Sequence, residues 1–142
     1  MGELHFQYCQ KIVVLSKDKS KVLLCKRKGE TDYNDVFSFI GGKMETSDAS
    51  IIQGLKREKD EEVGEKFQIM IYPTFSSNLL FKKEDGNSMI LPHYLAIYKE
   101  GDINLNEEYS EYQWVEINKL DEFEPKIANI PEIKNSPPKI PC

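Results

Sequence analysis

The best helical segment of this chain stands between two glycine breaks and among short β-type runs, which limits the folds open to it. From Asp48 to Val63 the apolar residues Ile51, Ile52, Leu55 and Val63 form a helical stripe that Lys59 interrupts. Ser47 can cap this helix, and Asp48 suits the positive end of its dipole. Gly64 stands where a C-terminal helix glycine belongs, and Gly41-Gly42 breaks the chain upstream. Before that break, Phe6 to Leu15 and Val22 to Cys25 are rich in β-formers, with Lys17-Asp18-Lys19-Ser20 as the turn of a hairpin. After the helix come strand-like runs from Ile69 to Phe81 and from Ser88 to Tyr98, separated by an Asp85-Gly86 turn signal. Tyr112 to Ile117 reads as a last strand, and a short helix is expected from about Asn118. Pro131, Pro137, Pro138 and Pro141 argue against regular structure in the tail.

Composition narrows the class. The 142 residues suit one domain with one core, and 39% hydrophobic against 30% charged residues describes a globular chain rather than a disordered one. No apolar run approaches the roughly 20 residues that span a bilayer, and the N-terminus lacks a secretory pattern, so the expectation is cytoplasmic. Three cysteines, Cys9, Cys25 and Cys142, form no C-x-x-C pair, which speaks against a disulfide framework or a thiolate metal site. A net charge of −5 without a basic stripe argues against a nucleic-acid partner. An acidic protein acting on a polyanion needs a divalent cation to screen its carboxylates.

The chemistry is concentrated in Arg57-Glu58-Lys59-Asp60-Glu61-Glu62-Val63-Gly64. On a helix, Glu58, Glu61 and Glu62 share one face, so three carboxylates crowd into one patch that repels itself without a cation. Mg²⁺ takes oxygen ligands, commonly a few carboxylates together with substrate phosphates. A Glu/Lys-rich run is most often a solvated helix face. The fixed spacing of Arg57, Glu58, Glu61, Glu62 and Gly64 and the upstream Gly41-Gly42-Lys43-Met44-Glu45 weigh against that reading here.

Together these two stretches resemble the Nudix box, G-x5-E-x7-R-E-U-x-E-E-x-G-U with U aliphatic, over about residues 41–65. Counting from Gly42, Asp48 falls where the box has its first glutamate, and one extra residue precedes Arg57. Lys59 and Glu65 replace aliphatic positions. The resemblance implies one Nudix hydrolase domain over residues 1–142, with a Pro-rich tail over about 131–142. It further implies an α+β fold, an α/β/α sandwich with a mixed, curved sheet between helices. Glu58 and Glu62 would be the principal Mg²⁺ ligands, Mn²⁺ being able to substitute. Glu61 would be a third or water-mediated ligand, and the Gly41 carbonyl would complete the set. Arg57 would orient the acidic cluster. A later carboxylate can act as general base, and Glu107, Glu108 and Glu111 are the candidates. Phe39 matches a position near the base site, with Tyr33 in the preceding loop; Lys26, Arg27 and Lys43 are candidate phosphate contacts.

The implied reaction is hydrolysis of a nucleoside diphosphate linked to a moiety X, giving a nucleotide and phosphorylated X. The implied partner is a small-molecule nucleotide substrate with no membrane, and a homodimer is open because dimers occur in the family. A rival reading is a Nudix-fold sensor or binding module without turnover. Against it, a pure binder has no need of a self-repelling glutamate cluster. A second rival, an enzyme acting on capped RNA, sits poorly with the acidic balance.

Overall fold

The structure, a computed structural model, describes residues 6–29, 35–82 and 86–126. Seven strands, β1 (Phe6–Leu15), β2 (Lys21–Arg27), β3 (Phe37–Ser38), β4 (Ile40–Lys43), β5 (Gln68–Lys82), β6 (Ser88–Glu100) and β7 (Tyr109–Glu116), form one sheet, and α1 spans Ile51–Val63. The expected strands are all present. Tyr33 and the Pro-rich tail lie outside the described residues, as does Cys142.

The expected β1–β2 hairpin forms, but it opens after its shared end at Leu15↔Val22. Strand β2 continues against β7 and β3, while β1 runs antiparallel to β4 and parallel to β6, so the sheet is mixed. This opening brings Gly41 opposite Lys11 and Gly42 opposite Gln10.

Both faces of the central strands are covered, which explains their nearly continuous apolar runs. Ile12, Val14, Leu23, Cys25, Tyr94 and Ala96 pack under α1 through Leu55 and Val63. The intervening residues Leu15, Val22, Leu24 and Leu95 pack on the other face with Val115 and Leu120. That second face is closed by a 3-10 turn over Ile117–Lys119, which stands where a second helix was expected, and by Phe123 against Phe37. Among the described residues α1 is the only α-helix, and no helix is long and apolar enough to cross a membrane.

The helix begins later than the Asp48 start and Ser47 cap expected from sequence. Ser50 is the N-cap, its hydroxyl accepting from the Gln53 N–H at 3.1 Å, while the Gln53 side chain returns to the Ala49 N–H. This is a Ser-x-x-Gln variant of the capping box, legible at positions 50–53. Asp48 is drawn back into the loop instead, where its carboxylate accepts from the Glu45 N–H at 2.9 Å. The extra residue of the box is therefore absorbed before the helix. At the other end Gly64 (φ 93°) donates its N–H to the Asp60 carbonyl.

Candidate active site

Three of the six buried residues of α1 are charged: Glu58, Lys59 and Glu62. Buried charges need partners, and following each to its own shows how the site is built. Lys59 lays its stem in the interior, as its place in the apolar stripe requires. Its ammonium donates to the Gly64 carbonyl at 3.1 Å and pairs with Asp60. Lys59 thus serves the helix C-terminus, where a cation is favourable.

Glu62 is 1% exposed. One carboxylate oxygen accepts from the Gly41 N–H at 2.7 Å, and the other accepts from the Tyr109 hydroxyl at 2.8 Å. Burial pushes its pKa up to about 8, against the opposing effects of Lys11, Tyr109 and the Gly41 N–H. Glu58 lies against the Gly42 Cα: a Cβ there would stand 2.7 and 2.8 Å from its two oxygens. Its pKa is also raised, mainly by burial, with further repulsion from Glu61 and Glu108, while Arg57 opposes the shift. The glycine pair therefore acts twice. Gly41 adopts φ 131° and presents its N–H to Glu62, and Gly42 leaves room for Glu58.

Arg57 ties the rest together. Its Nε and Nη2 donate to the two Asp48 oxygens at 2.8 and 3.0 Å, a bidentate pair, and Nη2 also reaches the Lys43 carbonyl. Its Nη1 faces Glu58 at 3.1 Å, Glu61 at 3.2 Å and Glu45 at 3.4 Å. Asp48 has a side chain only 2% exposed and a pKa lowered to about 2, chiefly by its hydrogen bond from Arg57. The displaced acid of the box thus anchors the arginine that faces Glu58 and Glu61.

The structure brings Arg57, Glu58, Glu61 and Glu62 together beside Gly41 and Gly42, with Glu61 the most exposed of the three glutamates. Glu108 is close enough for its charge to be felt at Glu58, whereas Glu111 lies along β7 opposite Lys26. Lys43 is exposed at the end of β4; Arg27 ends β2 opposite Tyr109. Phe39 is 4% exposed and packed in the core opposite α1, edge-on to His93 at 5.7 Å. His93 is likewise packed in the interior.

Two residues of the site escaped the sequence reading. Tyr109 stands beside three more conspicuous acids, and Lys11 belongs to a β-rich run. A lysine placed immediately before Ile12-Val13-Val14 was the available signal for the second.

Among the described residues, no three His, Cys, Asp or Glu side chains stand as a ready cation cage. Protein donors instead hold the carboxylates: Arg57 for Glu58 and Glu61, and the Gly41 N–H and Tyr109 hydroxyl for Glu62. The donor set nonetheless suits a hard divalent cation. It is all oxygen, and burial raises the pKa values of Glu58 and Glu62, which a cation held beside them would bring down.

Comparison with known proteins agrees with this geometry. The NUDIX domain family matches residues 10–134. The MutT protein of Methanosarcina mazei Go1 superposes with a TM-score of 0.76 at 20% identity, covering 96% of this chain and 95% of that one. A C. elegans Ap4A hydrolase, solved as a binary complex, gives 0.71 at 18% identity, covering 91% and 90%. The NUDIX domain of Shewanella oneidensis NrtR, solved with ADP ribose, gives 0.69 at 16% identity, covering 95% and 86%. No curated protein sequence matches the chain. The chain belongs to the NUDIX domain family.

Proposed function

We propose that this protein hydrolyses the pyrophosphate linkage of a nucleoside diphosphate joined to a second moiety X, releasing a nucleotide and phosphorylated X, with Mg²⁺ as cofactor and Mn²⁺ able to replace it. The observation that carries this reading is the convergence of Glu58 and Glu62, both with raised pKa values, on the Gly41-Gly42 backbone. Glu58, Glu62 and the Gly41 carbonyl would hold the cation, with Glu61 at its outer side. A cation held there neutralises phosphoryl oxygens and lowers the pKa of bound water.

The protein groups do the rest. Arg57, fixed by Asp48, keeps Glu58 and Glu61 in place. Glu108 is preferred to Glu111 as the base, because its charge reaches Glu58. It takes the proton of the attacking water as the new P–O bond forms and the bridging P–O bond breaks. Lys43 and Arg27 offer cations to the phosphates. The same reading takes residues 1–142 as one domain working in the cytoplasm on a small nucleotide, without membrane or nucleic acid.

A phosphatase-coupled phosphate-release screen over ADP-ribose, sugar nucleotides, dinucleoside polyphosphates and oxidised nucleotides tests it. With Mg²⁺ or Mn²⁺ one substrate group should turn over, and EDTA should abolish the signal. Nucleotide binding by calorimetry with no turnover anywhere on the panel would replace the hydrolase by a binding module; the Shewanella NUDIX domain solved with ADP ribose shows that this fold can hold such a ligand.

A further inference from the structure

Lys11 lies in β1 on the face turned away from α1, among Val13 and Leu15, and is only 9% exposed. A lysine buried in a central strand demands compensation. It sits opposite Gly41 on β4 and beside His93 on β6. Gly41, with no side chain, packs directly against the Gln10 carbonyl and the Lys11 backbone, and the Lys11 ammonium donates to the Gly41 carbonyl at 3.2 Å. The same glycine gives its N–H to Glu62, and the Lys11 charge is felt at that carboxylate. Among the described residues Glu62 makes no ion pair, so the Lys11 ammonium, held just beyond, offsets its charge from a distance. His93 offers no competing cation, because burial keeps its pKa down near 4.

We propose that Lys11 is the resident counter-ion of this site, holding the Gly41 carbonyl in the metal-free protein and passing to a phosphate oxygen of the substrate when a divalent cation claims that carbonyl. The inference rests on the hydrolase reading above, which places the cation on Gly41, Glu58 and Glu62. An ammonium and a divalent cation cannot share one carbonyl oxygen at contact distance without strong repulsion. The displaced ammonium stays near the Gly41 carbonyl, where the hydrolase reading brings the diphosphate, and an anionic oxygen is its natural replacement partner. Lys11 would therefore weaken metal binding in the empty protein and strengthen diphosphate binding once metal is present.

The two effects have opposite signs in one variant, which a purely structural lysine would not produce. In Lys11→Met, Mn²⁺ affinity without nucleotide, read from free Mn²⁺ by electron paramagnetic resonance, should rise about tenfold. Affinity for methylenediphosphonate in saturating Mg²⁺, read by calorimetry, should fall about tenfold. In the wild-type protein, the Lys11 ε-CH₂ resonance should move along the Mg²⁺ titration; this decides the matter alone should Lys11→Met not fold. Mn²⁺ affinity unchanged or weakened in Lys11→Met would overturn the proposal, as would a Lys11 resonance that stays still while Mg²⁺ binds. If wild type meanwhile hydrolyses a nucleotide, only the Lys11 role falls. A wild-type protein that binds no Mn²⁺ and turns over no nucleotide removes both readings together.

Discussion

At Glu62 burial and hydrogen bonding pull in opposite directions. Burial favours the protonated acid, whereas the Gly41 N–H and Tyr109 hydroxyl favour the carboxylate. Replacement by glutamine removes the charge but keeps the shape, so Glu62→Gln should keep its thermal midpoint in EDTA or raise it. Its kcat should nevertheless fall on the order of 10²–10³-fold, the scale typical of losing a group that stabilises transition-state charge. Glu61 is about half exposed and pairs with Arg57, so Glu61→Gln should lose roughly tenfold. Steady-state kinetics and a melting curve on both variants check this ordering; equal losses would mean the two acids share one role. Gly42 tests the backbone side. A methyl group there meets the Glu58 carboxylate at 2.7 Å, so Gly42→Ala should displace Glu58 and cut kcat at least tenfold while leaving the far-ultraviolet spectrum unchanged.

For α1, start and function can be separated. Ser50 caps the helix, so Ser50→Ala should lower stability by about 1 kcal/mol in urea titration with kcat nearly unchanged. Asp48 lies outside the helix but holds Arg57 by two hydrogen bonds. Asp48→Asn keeps the shape and breaks the charge match, and should lower kcat about tenfold at nearly constant KM, because Arg57 then loses its fixed bearing on Glu58 and Glu61. The reverse pattern, with Ser50→Ala the catalytic defect and Asp48→Asn silent, would place the helix start at Asp48 after all. The stripe of Ile51, Ile52, Leu55 and Val63 was enough to announce this helix. Its N-terminus starts later than charge alone suggests, because Asp48, a good first-turn residue, is claimed by an arginine nine positions on.

Across the whole molecule, acid stability should depend on His93, deep between β1 and the core of the far face. Burial lowers its pKa to about 4, so the unfolded chain takes up a proton near pH 6.5 before the folded protein does. Stability is then complete above about pH 6.5 and is lost as pH falls toward 4, by on the order of 2–3 kcal/mol. Glu62 acts with the opposite sign: its folded pKa near 8 means that metal-free stability declines as pH rises from the unfolded value toward 8. Comparing wild type with His93→Gln by urea unfolding at pH 7 and pH 4.5 cancels the Glu62 contribution; an equal loss in both proteins would clear His93 of the effect. The amino-acid order by itself determined what depends on neighbours in sequence: the strand runs, the helix with its acid face, the glycine breaks, and the Arg57–Gly64 spacing that marks the family. Which groups meet across the sheet was decided only by the fold. The opening of the β1–β2 hairpin puts Gly41 beside Lys11, and the return of β7 carries Tyr109 to Glu62. Contacts between positions 11 and 41, or 62 and 109, leave no periodic trace along the chain. They arise when distant strands take their register, and that register sets which carboxylate is buried, which is neutralised and by what.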